Sequence, residues 1–388
     1  MNAQEAIVRR LTKARLSAWR VVQTASTSQK LAVAFALFLI PLAFVAGKLA
    51  DEQQNSVDVV LQERDGGAYL RVINEAHTLL NMQTRAQQLG HNDIDNISAA
   101  IRALRSAERR YGAGLGTADI SDRAITAMRT VLNSDRARGT AAGAAVMALC
   151  DLAHLVGERA HLVRDPERAS HFAAGIVIER VPMLAHQARD LATLTESVFA
   201  DRRIGEGERM LVLQELALLE RTSNALSNSI SATTESAGSR ALSSTLEPPL
   251  YAVLTNFAVY RTLIERALDR GRLNLEDLVA TEAGAQFMLS DLSGRVSTSL
   301  DSMLETRATR LANERTGTLL LAAALFVVVL GFVVALLRVG LVQPIDSLSA
   351  SIRAIADGSY DTEIPALARG DEIGDMARAL VVLRDAAE

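Results

Sequence analysis

The sequence predicts an all-α membrane protein, and three observations predict it. Alanine, leucine, arginine and glutamate dominate, while aromatic residues make up only 4% and prolines number seven, so the chain is rich in helix formers and poor in strand formers. Apolar residues recur at helical spacing along almost its whole length. The block at residues 318–337 (TLLLAAALFVVVLGFVVALL) carries no charge, and as a helix it would extend about 30 Å, the thickness of a bilayer's hydrocarbon core.

Taken in order, residues 1–30 carry Arg9, Arg10, Lys13, Arg15, Arg20 and Lys30 against one acid, Glu5. Such a basic flank stays in the cytoplasm. An apolar run at 31–47 follows, which predicts a first span within 31–50; Pro41 is tolerable there because neighbouring helices can satisfy the carbonyl it frees. Lys48 stands where a signal peptide would need a small residue before its cut, so the run reads as an uncleaved anchor. Trp19 suits the interfacial belt. The second span is 317–337, and Arg338 is the first charge beyond it. Both termini are therefore expected in the cytoplasm, with residues 51–316 on the far side, the periplasm of a bacterial inner membrane. A mean hydropathy of +0.15 fits two spans on a largely extramembrane chain.

The 51–316 segment is expected to be a long helical bundle, either two stacked four-helix bundles or one very long one. Turns are predicted at 90–93, 112–117, 134–139, 165–166, 205–207 and 271–273. Leu250, Val253, Phe257, Tyr260, Ile264 and Leu268 make one core stripe, and Leu292, Val296, Leu300, Met303 and Leu311 another.

After the second span, Leu341, Ile345, Leu348, Ile352 and Ile355 recur at spacings of four and three, and Ile373, Met376, Leu380 and Leu383 repeat the pattern beyond Gly358. These are coiled-coil seams, too short to stand alone, so they require each other and a second chain. Pro344, the first seam, Gly358 followed by Tyr360 and Ile364, and then Asp371, Glu372, Ile373 and Gly374 together resemble a HAMP domain over residues 338–387. The resemblance implies a parallel four-helix coiled-coil module built by a homodimer, which passes conformational signals from a transmembrane helix to cytoplasmic signalling proteins. It implies that Glu372 anchors the second helix against the first and that Gly374 permits a close approach. More weakly, residues 62–80 and 164–191 resemble helical periplasmic sensor regions of the helical bimodular type, found in chemoreceptors, histidine kinases and diguanylate cyclases; His171 and Phe172 stand where that family often carries tyrosines.

Few residues suggest chemistry. His154, Glu158 and His161 lie at i, i+4 and i+7 with His171 and His186 nearby, a spacing that could hold a metal but departs from the metalloprotease pattern; the expectation is no metal and no cofactor. The fragment YGAGLG at 111–116 follows a helical pattern rather than a strand, which removes the context of a nucleotide loop and predicts a flexible connection. Arg102, Arg105, Arg109 and Arg110 read as a solvated basic face. Cys150, the single cysteine, reads as a small core residue. A net charge of −4 gives no case for nucleic acid. Nucleophile elbow, kinase, cyclase and phosphoacceptor motifs do not occur, so no catalysis is expected between Met1 and Glu388. The expectation is a receptor that binds the bilayer and an unidentified periplasmic solute or protein, with a methyl-accepting, histidine kinase or cyclase output beyond Glu388. The rival is a structural or adaptor membrane protein that ends at HAMP and acts by association.

Overall fold

The computed structural model of the chain describes residues 27–88, 94–133, 138–200 and 204–387, and every regular element among them is helical. They form two compact units, Asn55–Ala312 and the described parts of Met1–Gln54 and Asn313–Glu388. The helices are α1 (Thr27–Gln88), α2 (Ile94–Ala107), the three-residue α3 (Ala113–Leu115), α4 (Ala118–Asn133), α5 (Arg138–Arg159), α6 (Arg168–Gly175), α7 (Val181–Ala200), α8 (Glu206–Ala237), α9 (Arg240–Arg270), α10 (Leu275–Leu337), α11 (Gln343–Ala356) and α12 (Glu372–Ala387). Single π-helical turns join α2 to α3, α6 to α7 and α10 to α11.

The larger unit has one continuous apolar core, running from Val60 to Ala308. Helix α4 packs on α2 and α5, and α8 packs on α6, α7 and α9. The α9 stripe is buried as its periodicity predicts, and in α10 Leu292, Val296 and Leu300 are buried while Met303 and Leu311 flank the core. Polar groups at the centre are satisfied across helices. Tyr260 donates its hydroxyl to the Ala188 carbonyl at 2.9 Å, and Gln286 Nε2 donates to the Ala185 carbonyl at 2.8 Å, so α9 and α10 both hold α7 through its backbone.

The helix ends follow local chemistry. Glu208 accepts the Gly205 backbone N–H at 2.8 Å at the start of α8, as in half of a capping box. The predicted break at 165–166 is made by Asp165, whose carboxylate accepts the Glu167 N–H at 2.8 Å, and the break at 271–273 by Gly271 at φ 63°. The expected loop at 112–117 shrinks to Gly116 and Thr117: Tyr111 to Leu115 are helical, and Gly116 at φ 64° ends the run. Residues 206–207 already belong to α8 and 138–139 to α5. The predicted turns at 90–93 and 134–137, and the basic leader through residue 26 with Trp19, lie outside the described residues. A break that the spacing of turn residues had not indicated falls at Gly238 and Ser239. There, Gly238 at φ 59° closes α8 and the Ser239 hydroxyl accepts the Leu242 N–H, so two residues end one long helix and cap the next.

In the smaller unit the 318–337 block is part of α10, and its side chains are bare: Leu321 is 73% exposed and Val328 66%. The most apolar 18 residues of this helix reach a mean hydropathy of 3.1 with none of them buried, long and apolar enough to cross a bilayer. By contrast, the apolar stretch Ala141–Arg159 of α5 is 44% buried in the bundle, which marks a core helix. The first apolar run, 31–47, is helical within α1, with Phe44 and Val45 exposed; its side chains before residue 43 lie outside the described residues. Gln53 Nε2 donates to Thr318 Oγ1 at 3.4 Å, so the end of the first run and the start of the second lie side by side.

Candidate functional site

The C-terminal helix pair is built from the two seams. Leu348, Ile364, Ile373, Ala377 and Leu380 form its buried core, with Leu341, Ile345, Ile355, Ala366 and Val381 packed around them. Pro344 stands in the first turn of α11, where its missing N–H costs nothing. Gly358 at φ 84° ends that helix: its N–H reaches the Ile355 carbonyl at 3.0 Å and that of Ser359 reaches Ala354 at 2.9 Å, a Schellman cap. Tyr360 is half-buried on the connector that follows, and Ile364 plugs into the core. The Ser351 hydroxyl, buried on α11, faces the Glu363 carbonyl at 3.4 Å and ties the connector back to the first helix.

The start of α12 is held by an acid, an arginine and a glycine. Asp371 accepts the Gly374 N–H at 3.1 Å, the N-cap bond of the helix, and receives a forked pair from Arg369 at 2.6 and 3.1 Å. Arg369 also donates to the Gly340 carbonyl at 3.0 Å, reaching back to the π turn that follows α10. The arginine bond holds the Asp371 carboxyl near 2, well below the usual range. A Cβ at Gly374 would collide with the Arg369 carbonyl, so the close approach expected of this glycine is made by the connector. Glu372 stands exposed, and the contacts that fix the helix start are those of its neighbour Asp371. Neither Arg369 nor Ala377 was singled out by the seam pattern; the signal available was the R-G-D triplet ahead of the helix and a small residue four beyond Ile373.

Within one chain the seams are only half covered. Ile373 and Leu380 are buried, whereas Ile352 is 47% exposed, Met376 55% and Leu383 67%. The seam residues therefore divide between a face used inside the pair and an apolar face left bare.

The bundle holds two buried polar clusters that sequence reasoning passed over. In one, Arg307 on α10 donates to Asp165 at 2.9 Å and to Glu63 on α1 at 3.2 Å, and Arg310 pairs with Glu167 at 2.6 Å. Glu63 Oε1 and Asp165 Oδ2 are buried without a hydrogen-bond partner among the described residues. Burial first, and the Asp165 charge second, push Glu63 up to about 7. In the other, Arg189 joins Asn81 on α1 to His186 Nδ1, the latter at 2.8 Å, and His186 Nε2 lies 3.1 Å from Asp190. His77, fully enclosed beside Asn81, is held neutral by burial and by the Arg189 charge, with its pKa lowered to about 3. The signal in the sequence was a polar residue at a core position: Glu63 and His77 interrupt the stripe of Val60, Leu70, Ile73 and Leu80.

The remaining candidates separate. His154 and Glu158 are exposed on α5, which ends at Arg159; His161 lies in a left-handed turn at φ 61°, so the three do not share a helix face, and His186 belongs to the Arg189 cluster. His171 meets the Phe172 ring edge-on at 5.6 Å. Arg102, Arg109 and Arg110 are exposed, with Arg110 over the Tyr111 ring at 5.3 Å. Cys150 is half-buried against the core, where burial raises its thiol pKa.

Comparison with curated proteins and with solved structures found no match. Residues 336–388 match the family model of the HAMP domain, and the C-terminal module, joined to an exposed apolar helix, therefore points to a signal-transduction relay in a membrane protein.

Proposed function

We propose that this chain is a homodimeric transmembrane receptor of the bacterial inner membrane, with both termini in the cytoplasm. The 51–316 bundle senses a periplasmic solute or protein, and α10 carries a small displacement into the HAMP module. Through Pro344, Ile345, Leu348, Ile352, Ile355, Gly358, Tyr360, Ile364, Glu372, Ile373, Gly374, Met376 and Leu380 the module relays it to a methyl-accepting, histidine kinase or diguanylate cyclase output. One observation carries the reading: a bare apolar helix runs within five residues of a HAMP-matching helix pair whose second apolar face is uncovered. A second copy supplies what that face lacks, since two short helices are marginal without further packing. Two packings of such a seam differ by little, so a small shift of α10 suffices to switch them.

Topology is the most accessible part to test. In a Cys150→Ser background, Glu5→Cys and Asp385→Cys should stay unlabelled by an impermeant thiol reagent in intact cells, while Ala200→Cys should react. Labelling at either terminus would refute the two-span arrangement.

A further inference from the structure

We infer that Glu63, Asp165 and Arg307 form a proton-binding clasp joining α1, the turn after α5 and α10, closed by one proton and loosened when that proton leaves. The clasp stands on the geometry of the larger unit alone. Its use, as the element through which the bundle reads external acidity, rests on the receptor reading above.

Two carboxylates meet on one nitrogen. Glu63 Oε2 and Asp165 Oδ1 both accept from Arg307 Nη1, at 3.2 and 2.9 Å, and their side chains are 1% and 0% exposed. Arg307 brings one positive charge, so the ionised trio keeps one negative charge uncompensated where water does not reach. The surroundings do not make up the difference. Glu167 in the same turn is a third acid, 3.7 Å from Arg307 Nε, and Arg310 matches it at 2.6 Å. On α1, Arg64 is taken by Asp301 at 3.1 Å and Glu305 at 3.6 Å, and Arg168 after the turn is exposed to solvent.

The other two carboxylate oxygens, Glu63 Oε1 and Asp165 Oδ2, are enclosed with no hydrogen-bond partner among the described residues. One proton answers both deficits: it cancels the surplus charge and turns an enclosed acceptor into a donor. Burial and the Asp165 charge hold Glu63 at about 7, so the proton exchanges with outside water near neutrality. Once it has left, two like charges share a single guanidinium, and the turn and α10 gain by parting and admitting water. Glu63 and Arg307 lie on α1 and α10, the two helices that contain the apolar runs, so the proton bears on both at once.

The test uses the full chain in detergent. Infrared difference spectra between pH 5 and pH 8 should show a protonated-carboxyl band that disappears with a midpoint near 7 and is absent from Glu63→Gln. Nitroxides on Val163→Cys and Ser302→Cys in a Cys150→Ser background should move apart over the same range, and Glu63→Gln, which cannot ionise, should keep the short distance at both ends. Asp165→Asn removes the like charge and should lower the midpoint by about one pH unit or more; it decides if Glu63→Gln loses its helical signal. The lack of a titrating band that depends on Glu63, or a nitroxide distance that ignores pH, would overturn the clasp. Neither readout involves an output domain, so those failures leave the receptor reading intact, whereas silent relay variants beside a normal titration would overturn the receptor reading and keep the clasp.

Discussion

Replacing Arg307 by alanine is expected to destabilise the bundle by about 3 to 5 kcal/mol at pH 8, the largest effect of any single side-chain removal anticipated here. The reason is that Arg307 serves two buried carboxylates at once. Its guanidinium is 11% exposed, while the side chains of Glu63 and Asp165 are 1% and 0% exposed, so its loss leaves like charges facing each other in a medium that cannot screen them. The loss should shrink at pH 5. Glu63 is raised from 4.5 to about 7 in the fold, so the stability it contributes is full below 4.5 and falls as pH rises through 7, with a limiting slope of about 1.4 kcal/mol per pH unit. Without Arg307 that carboxyl is still easier to protonate, so acid neutralises the pair. Glu63→Gln in the Arg307→Ala background should recover much of the loss at pH 8. His77 sets the opposite limb: lowered from 6.5 to about 3, it favours the fold above 6.5 and penalises it as pH falls towards 3. Urea melts followed by circular dichroism at both pH values check this, and an Arg307→Ala loss that is under about 1 kcal/mol, or equal at pH 5 and pH 8, would contradict the buried-pair account.

Gly374→Ala is expected to produce the second large effect, in the C-terminal module alone. The new methyl group would meet the Arg369 carbonyl, which is backbone and is itself held by Arg378 Nη1 at 2.8 Å, so neither partner can swing aside cheaply. The connector or the start of α12 must shift, breaking the Asp371 cap, at about 1 to 3 kcal/mol. Gly370→Ala, with open space around its Cβ position, should cost within about 0.5 kcal/mol. Limited proteolysis of the 357–371 connector in the full chain should therefore speed up about five- to a hundredfold for Gly374→Ala and stay close to the parent for Gly370→Ala. Equal cleavage rates in the two variants would mean that the connector does not depend on this approach.

Periodicity and backbone chemistry made most of the fold legible before any coordinates. The α9 and α10 stripes are buried where a 3.6-residue repeat puts them, because apolar burial is the main term that positions a helix. Gly271, Gly358 and Asp165 act as their residue types predict. What the sequence concealed depends on contacts far apart in the chain. Arg307 and Asp165 are separated by 142 residues, and nothing local to either announces the pair. Arg369 reads as a solvated loop residue until Gly340, 29 residues earlier, is seen beneath it. In the helix pair, the heptad pattern identified Ile373 and Leu380 but could not tell which seam positions pack within the chain and which stay bare. Ala377 takes the inner position and Met376 the outer, a distinction set by the crossing of two helices rather than by hydropathy.

The central claim is that the helix pair after α10 is a two-chain relay and not a tether. Its most direct test fuses residues 1–388 to a reporter histidine kinase domain and reads phosphorylation in membranes. Asp371→Ala, which releases the α12 cap and the Arg369 link to Gly340, and Ile352→Asp, which puts a charge on the bare seam, should each shift the output by several-fold in a protein whose bundle melts unchanged. Glu372→Ala should bias it as well, through the helix start it shares with Asp371. Output from all three indistinguishable from the parent would contradict the relay and leave the segment as a passive linker.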